Sequence, residues 1–212
     1  MIIAIDGSAA SGKGTLAKRL ATHFGLSHLD TGALYRAVGL QLLNAGQDPK
    51  NIDEDQCVNS CVELDITLTT SPLIRSEKVA EMASVVAAMP TVRAALLDLQ
   101  RQFAAAPPNP NGAILDGRDI GTVVLPDADI KFFIDADIHT RAERRTKELL
   151  QAGQSVMFRD VLTDMQERDT RDRSRSAAPL RPADDAIIID TSTMDADDVM
   201  ALALSHITAQ SV

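Results

Sequence analysis

The chain has 212 residues, 45 % of them apolar, and a formal net charge of −9 at neutral pH. This length fits one α/β domain with small insertions, and the apolar share is large enough for a buried core. The negative charge disfavours nucleic acid as a partner. Since no apolar run approaches the ~18 residues of a membrane span, we also expect no membrane partner.

The first residues and the cysteines indicate the compartment. The chain enters an apolar run at once, which leaves no room for a signal peptide. Cys57 and Cys61 lie in a helix-like stretch with no further metal ligands evident nearby. We interpret them as reduced core thiols and expect a monomeric, cytoplasmic protein.

Short apolar runs separated by helical patterns predict an open parallel sheet. The strands are expected at Ile2–Ile5, Leu26–Leu29 (the weakest), Ala113–Leu115, Ile130–Ile134 and Ala186–Ile189. The helices are expected at Lys13–Phe24, Ala33–Asn44, Asp53–Leu64, Ser76–Met89, Pro90 to about Ala105, His139–Ala152, Phe158–Asp172 and Asp195–His206. Such alternation predicts a three-layer α/β/α fold with five parallel strands and ligands at their carboxyl ends.

The segment Gly7–Thr15 lies between the first strand and the first helix and has the spacing Gly-x-x-x-x-Gly-Lys-Gly-Thr of a P-loop. Its glycines let backbone N–H groups face phosphate oxygens, while Lys13 and the helix N-terminus add positive charge. Gly14 stands where Ser or Thr usually contacts Mg²⁺, and Thr15 follows one position later. We expect a nucleoside triphosphate to be held by Gly7, Ser8, Ala9, Ala10, Ser11, Gly12, Lys13, Gly14 and Thr15.

The sequence Asp-Thr-Gly-Ala-Leu-Tyr-Arg of residues 30–36 directly follows the weakest strand. Asp30 or Thr31 can cap the next helix, and capping alone could explain both. It does not explain Arg36, one helical turn in, whose planar guanidinium can bind a second phosphate with two hydrogen bonds. An ordinary surface arginine is the alternative.

A third motif, Leu-Asp-Gly-Arg-Asp-Ile-Gly at residues 115–121, follows a buried strand. Asp116 ends that strand, where a Walker-B-type carboxylate holds the metal, often through water. Arg118 and Asp119 are expected to project into the cleft above the sheet. A turn rich in Gly and Asp is the simpler alternative.

Arginines are concentrated in a fourth region, residues 141–175. Interspersed acids make a solvated helical face the ordinary interpretation. Phosphoryl transfer, however, needs cations that close on the moving group and exclude water, and two charged helices joined at Gly153 suit such a lid. We expect only some of these arginines to contact a ligand.

Together these motifs resemble the bacterial cytidylate kinases, P-loop nucleoside-monophosphate kinases that transfer phosphate from ATP to CMP or dCMP. The likeness covers nearly the whole chain, through GSAASGKGT, DTGALYRA, VAEMASVVAAMPTVRAALLDLQR, DGRDIGTVVLPDADIKFF and ERDTRDRSRSAAPLRPADDA. Other nucleoside-monophosphate kinases share the P-loop but not the combination of DGRDIGTVV with RDTRDRSR and APL. The Gly-Lys-Gly-Thr form of the loop is also the form that these kinases carry.

The resemblance implies roles for the matching residues. Thr31, Arg36 and Arg118 would contact the monophosphate, Asp119 the cytosine amino group, and Ser84 and Arg93 the rest of the base edge. Arg168, Asp172 and Arg175 would lie around the pentose, phosphate and base, and Arg141 and Arg145 near the ATP phosphates. Mg²⁺ would be held by Thr15 and, through water, by Asp116. The catalytic groups would be Lys13, Arg118, Arg145 and Arg168; no general base is needed, because the acceptor is already an oxyanion.

The resemblance also implies a single domain over residues 1–212. Its core would span about 1–35, 90–140 and 180–212, its monophosphate-binding region about 36–89, and its lid about 141–175. Many family members carry a longer, strand-rich insertion where this chain has only Asp65–Arg75. We expect recognition of CMP to survive and the cleft to close differently.

Three alternatives are set against this interpretation. A P-loop kinase for adenylate or shikimate is the nearest. A P-loop switch protein would need a guanine-reading Asn-Lys-x-Asp segment, which the sequence lacks. A structural nucleotide-binding module is disfavoured by Arg36, Arg93 and Arg118, because aligning such cations costs stability unless anions bind.

Overall fold

A computed structural model describes residues 1–210. It contains a five-stranded sheet in the order β2-β3-β1-β4-β5, with every pairing among β1, β3, β4 and β5 parallel. The strands are β1 (Ile2–Gly7), β2 (Ser27–Asp30), β3 (Ala113–Gly117), β4 (Ile130–Asp135) and β5 (Ile187–Asp190). The predicted α/β fold with five parallel strands is confirmed, including the weak second strand.

Eight α-helices connect and follow these strands within residues 1–210. They are α1 (Lys13–Phe24), α2 (Thr31–Asn44), α3 (Glu54–Val62), α4 (Glu77–Val86), α5 (Pro90–Ala105), α6 (Ile138–Gln151), α7 (Phe158–Ser174) and α8 (Ala196–Gln210). All eight were predicted, and the bounds of α1 and α5 agree at both ends. The end of α2 at Asn44 and the start of α7 at Phe158 also agree. The remaining ends differ by a few residues, the usual uncertainty where a helix frays or is capped.

Three short elements were not predicted. Residues 66–75 form two 3₁₀ segments, Ile66–Thr70 and Pro72–Arg75, and Ile120–Val124 forms a π-helical turn. The 3₁₀ segments begin where Asp65 and Ser71 accept hydrogen bonds from backbone N–H groups two residues later. Such turns depend on single capping side chains, and they leave no hydrophobic periodicity in the sequence.

Strand register determines what lies at the carboxyl edge of the sheet. In β1, Asp6 is opposite Gly117 of β3, and Gly7 is opposite Ile134 of β4. The chain therefore leaves β1 and β3 at neighbouring positions on the same edge. The P-loop and the segment that begins with Arg118 consequently start side by side.

The chain divides into two compact units, residues 1–28 with 107–212 and residues 29–106. In the first unit, α1 and α8 bury their apolar faces on β1, β3 and β4, and Ile5, Leu20, Ile114 and Ile134 are fully buried. This packing holds the carboxyl edge of the strands in place. The bounds assigned from sequence to core, monophosphate region and lid stay a prediction.

The second unit packs α2, α3, α4 and α5 around Leu34, Val38, Met82 and Leu96. Cys57 and Cys61 belong to this core and are free thiols, as predicted. Burial raises the pKa of both, that of Cys61 to about 11. Over residues 1–210 no single helix is long and apolar enough to cross a membrane; α4 and α5, which meet at 98°, pass that test only as a bent pair, by length and composition.

Candidate active site

The P-loop adopts a backbone conformation that requires glycine at positions 7 and 12. Gly12, the N-cap of α1, has a φ of 93°, and a Cβ on Gly7 would lie 1.9 Å from the carbonyl oxygen of Ile134. Ala10 adopts a φ of 58°, a conformation that costs energy for a residue with a side chain. The loop is thus strained into one shape at the N-terminus of a 12-residue helix.

Polar groups inside this loop are arranged to receive a ligand. Ser8 and Ser11 are fully buried, and their hydroxyl groups have no hydrogen-bond partner among residues 1–210. The Lys13 ammonium group lies 3.4 Å from the carbonyl oxygen of Ser8, curled over the loop. A buried hydroxyl without a partner costs free energy. Phosphate oxygens would satisfy both serines, so the loop fits a phosphate group.

Asp116 lies beside the P-loop at the end of β3. It is 3 % exposed, and one carboxylate oxygen, Oδ1, lies 2.6 Å from Nε2 of His28. The other, Oδ2, lies 3.7 Å from the place where a Cβ on Gly14 would stand. Glycine at position 14 therefore leaves the space in front of this carboxylate open. With the hydroxyl of Thr15, Asp116 supplies the oxygen ligands that Mg²⁺ prefers, so these residues fit the expected metal.

Sequence reasoning missed His28. Its only signal was a histidine inside the weakest predicted strand, and its partner lies 88 residues away. By bonding Oδ1, His28 fixes the orientation of the Asp116 carboxylate and leaves Oδ2 toward the loop. It therefore acts on the candidate metal site through Asp116.

Arg118, Asp172 and Arg175 meet in one buried cluster, although the first two are 54 positions apart. Asp172 is 2 % exposed; its Oδ2 accepts from Nε of Arg118 at 2.9 Å and its Oδ1 from Nη2 of Arg175 at 2.5 Å. Burial acts to raise the pKa of Asp172, but the charges of Arg118, Arg175 and Arg168 outweigh it and hold that pKa below its ordinary value. The charges of three predicted site arginines thus act on the ionised carboxylate of a fourth predicted residue, Asp172.

Asp119 follows Arg118 and is also buried, at 5 % exposure. Its backbone carbonyl accepts from the N–H groups of Val123 and Val124, which starts the π-helical turn. Turns of this kind are rare and often occur at functional sites. The turn holds Asp119 at the exit of β3.

The lid arginines differ in their surroundings. Arg141, 2 % exposed, donates to the carboxylate of Asp169, to the carbonyl of Ala136 and, at 3.3 Å, to the carbonyl of Ala9 in the P-loop. Arg145 pairs with Glu148 on its own helix at 3.0 Å. Contact of either with ATP stays a prediction.

Arg144 has a structural role. It donates to both the hydroxyl and the carbonyl of Thr191, which ties α6 to the segment after β5. The α6–α7 pair closes over Ala142, Leu149, Val161 and Met165, against which Ala9 and Ala10 of the P-loop also pack. The predicted lid helices therefore contact the phosphate loop directly.

In the second unit, Asp30 is the N-cap of α2 and accepts from the N–H of Ala33 at 3.1 Å, so the capping interpretation of that residue is confirmed. Thr31 is the first helical residue and is 3 % exposed. Arg36 donates to the carbonyl of Ile74 at 2.7 Å. The shortened segment of residues 65–75 thus holds the arginine that we expect to bind the monophosphate.

The remaining predicted residues of this unit lie near its core. Arg93 lies over the ring of Tyr35, with 5.7 Å between guanidinium carbon and ring centre, and donates to the carbonyl of Ala87. Ser84 is 6 % exposed, and its hydroxyl has no hydrogen-bond partner among residues 1–210. Tyr35 was not assigned a site role, although the motif at residues 30–36 contains it.

Comparisons with known proteins give a consistent result. Residues 3–209 match the family model described as cytidylate kinase. The chain is 52 % identical over 206 residues to the cytidylate kinase of Paramagnetospirillum magneticum, with 97 % of each chain covered. It is 54 % identical over 204 residues to that of Methylocella silvestris, covering 96 % of this chain and 92 % of the relative.

Solved structures show the same fold at low identity. An uncharacterized protein from Eubacterium ventriosum has a TM-score of 0.54 at 17 % identity, with 98 % of each chain covered. The protein TT1252 from Thermus thermophilus has a TM-score of 0.50 at 19 % identity, with 99 % of this chain and 97 % of that chain covered.

Proposed function

Because the chain belongs to the cytidylate kinase family, we propose that it transfers the γ-phosphoryl group of ATP to CMP or dCMP, which yields ADP and CDP or dCDP. The observation that carries the proposal is the shared exit of β1 and β3. Because β1 and β3 end side by side, the phosphate loop and the segment with Arg118 and Asp119 begin at neighbouring positions. A donor site and an acceptor site are expected to adjoin in this way.

The donor is bound by the P-loop. Its N–H groups, the buried hydroxyls of Ser8 and Ser11, and Lys13 would surround the β- and γ-phosphates of ATP. Thr15 and Asp116, the latter through water, would hold Mg²⁺, which supplies charge neutralisation for the β- and γ-phosphate oxygens. Lys13 moves from the Ser8 carbonyl to the phosphates when ATP enters, because a phosphate oxygen is the stronger acceptor.

Both compact units carry residues that the family resemblance assigns to the acceptor. In the first unit, Arg118, Arg168 and Arg175 would bind phosphate and pentose around Asp172, and the buried carboxylate of Asp119 would accept from the cytosine amino group. In the second unit, Thr31 and Arg36 would bind the monophosphate, and Ser84 and Arg93 the base edge. The buried hydroxyl of Ser84, which has no hydrogen-bond partner among residues 1–210, and the guanidinium of Arg36, held by the carbonyl of Ile74, support these two assignments.

Transfer is in line and uses no covalent enzyme intermediate. An oxygen of the CMP phosphate attacks the γ-phosphorus, and the bond to the β–γ bridging oxygen breaks, so that the electron pair leaves with ADP. Lys13, Arg118 and Arg168 stabilise the charge on the moving group, and Arg145 and Arg141 of the α6–α7 pair support them from the ATP side. We further infer a monomeric cytoplasmic enzyme.

Steady-state phosphorylation with MgATP and one of CMP, dCMP, UMP, AMP or shikimate tests the proposal. We expect kcat/KM to be highest for CMP and dCMP. A preference for AMP or shikimate would replace it with another P-loop kinase activity, and hydrolysis of ATP without any acceptor would refute it.

A further inference from the structure

The carboxylate of Asp6 lies at a position that neither the motifs nor the proposed chemistry uses. Asp6 immediately precedes the P-loop and is 3 % exposed. Its Oδ1 accepts from the N–H of Ile120 at 2.7 Å, and its Oδ2 accepts from the N–H of Gly121 at 2.8 Å. The contacts join two segments that are more than 110 positions apart in the chain.

We propose that Asp6 is a positioning residue that sets Arg118 and Asp119 in register with the phosphate loop by holding the first two N–H groups of the turn that follows them. This inference rests on the proposed function. If it is right, a change confined to the Asp6 carboxylate weakens binding of the acceptor nucleotide and leaves binding of the donor nearly unchanged.

The local geometry requires a carboxylate. Two separate oxygens each accept one N–H, and an asparagine would offer one oxygen and turn its NH₂ group toward the second donor. Position 121 is closely packed, since a Cβ there would stand 3.2 Å from Cδ of Lys131, but its distance of 3.5 Å from Oδ2 of Asp6 would be an ordinary contact.

The charges around Asp6 show that stability alone does not explain it. Burial raises its pKa to about 7; the two N–H groups and Arg118 oppose that rise, and Asp119 adds to it. Lys131 of β4 packs its aliphatic chain on Gly121, but its ammonium group is bound by both oxygens of Asp185 at 2.9 and 2.7 Å. Burial still outweighs these favourable contacts, so the carboxylate costs free energy, and we attribute its presence to the geometry that it holds.

The experiment compares wild type, Asp6→Asn and the control Asp129→Asn. Asp129 also accepts a β1 backbone N–H, that of Ile2 at 2.7 Å, but at the opposite end of the strand. For Asp6→Asn we expect KM and the calorimetric Kd for CMP to rise about tenfold, the factor for one lost hydrogen bond of ~1.4 kcal/mol. The preference for CMP over UMP should fall, KM for ATP should stay within about twofold, and Asp129→Asn should leave all of these unchanged.

Hydrogen exchange provides a readout that does not involve nucleotides. Asp6→Asn should accelerate exchange in residues 118–124, and Asp129→Asn should not.

Equal changes in KM for ATP and CMP, or a loss of thermal stability without a selective change toward CMP, would overturn the inference. If Asp6→Asn does not fold, Asp6→Ser, which keeps only one acceptor oxygen, is used instead and must show the same selective change toward CMP. Wild type that fails to phosphorylate CMP refutes the proposed function instead, while unaltered exchange in residues 118–124 refutes the role of Asp6 by itself.

Discussion

Asp172→Asn removes the charge at the centre of the Arg118–Asp172–Arg175 cluster while keeping nearly the same volume. The side chain is 2 % exposed, and its two partners have side-chain exposures of 16 % and 8 %. Breaking one partner of a buried ion pair leaves the other charges uncompensated, and the cost is about 3 kcal/mol of unfolding free energy. For a chain of this size that corresponds to a melting temperature lower by about 6–12 °C.

Asp197→Asn is the matched control. Asp197 pairs with Arg19 at 2.6 Å, a comparable distance, but the two side chains are 87 % and 37 % exposed, so its loss should cost at most about 1 kcal/mol. Urea unfolding of both variants, with and without CMP, is the assay. If the CMP phosphate compensates the freed arginines, adding CMP should raise the unfolding free energy of Asp172→Asn by more than it raises that of wild type. Equal losses for the two variants would refute the argument that burial makes this cluster different.

Three further predictions concern the same region. Arg118→Ala should lower kcat/KM for CMP by about a hundredfold or more, which is ~3 kcal/mol of transition-state stabilisation, in steady-state assays; nearly normal turnover would remove Arg118 from the site. Asp119→Asn should weaken discrimination of CMP from UMP, and unchanged selectivity would contradict its contact with the base. Burial raises the pKa of Asp6 from 3.8 to about 7, so the folded chain keeps a proton on Asp6 that the unfolded chain loses. The contribution of Asp6 to the free energy of unfolding is therefore fully present below pH 3.8 and is lost as pH rises through 7. The difference in unfolding free energy between wild type and Asp6→Asn, measured in urea, should therefore shift against wild type from pH 4 to pH 8; a difference independent of pH would be inconsistent with a buried titrating carboxylate.

Local signals explain why some features could be predicted from sequence. The bounds of α1 were predicted at both ends because Gly12 and Gly25 flank it, and both adopt left-handed conformations as caps. The P-loop, the end of β3 and the capping role of Asp30 likewise depend on neighbouring residues.

Contacts between residues far apart in the chain were harder to predict from the sequence. The bonds from Asp6 to Ile120 and from His28 to Asp116 join residues 114 and 88 positions apart, and no local pattern marks either partner. Periodicity could not separate a structural arginine such as Arg144 from a ligand-binding one, because both occur on the same charged helix. Only the packing of α6 against the segment after β5 distinguishes them.

The contact between Arg141 and the carbonyl of Ala9, together with the packing of Ala9 and Ala10 on the α6–α7 pair, has a consequence for protein engineering. A lid taken from a relative and grafted onto this chain would bring its own arginine and its own apolar surface to a loop shaped for another partner. The exchangeable module is therefore discontinuous. It comprises α6, α7 and the two alanines of the phosphate loop, and a chimera that omits those alanines would join a foreign lid to a mismatched loop.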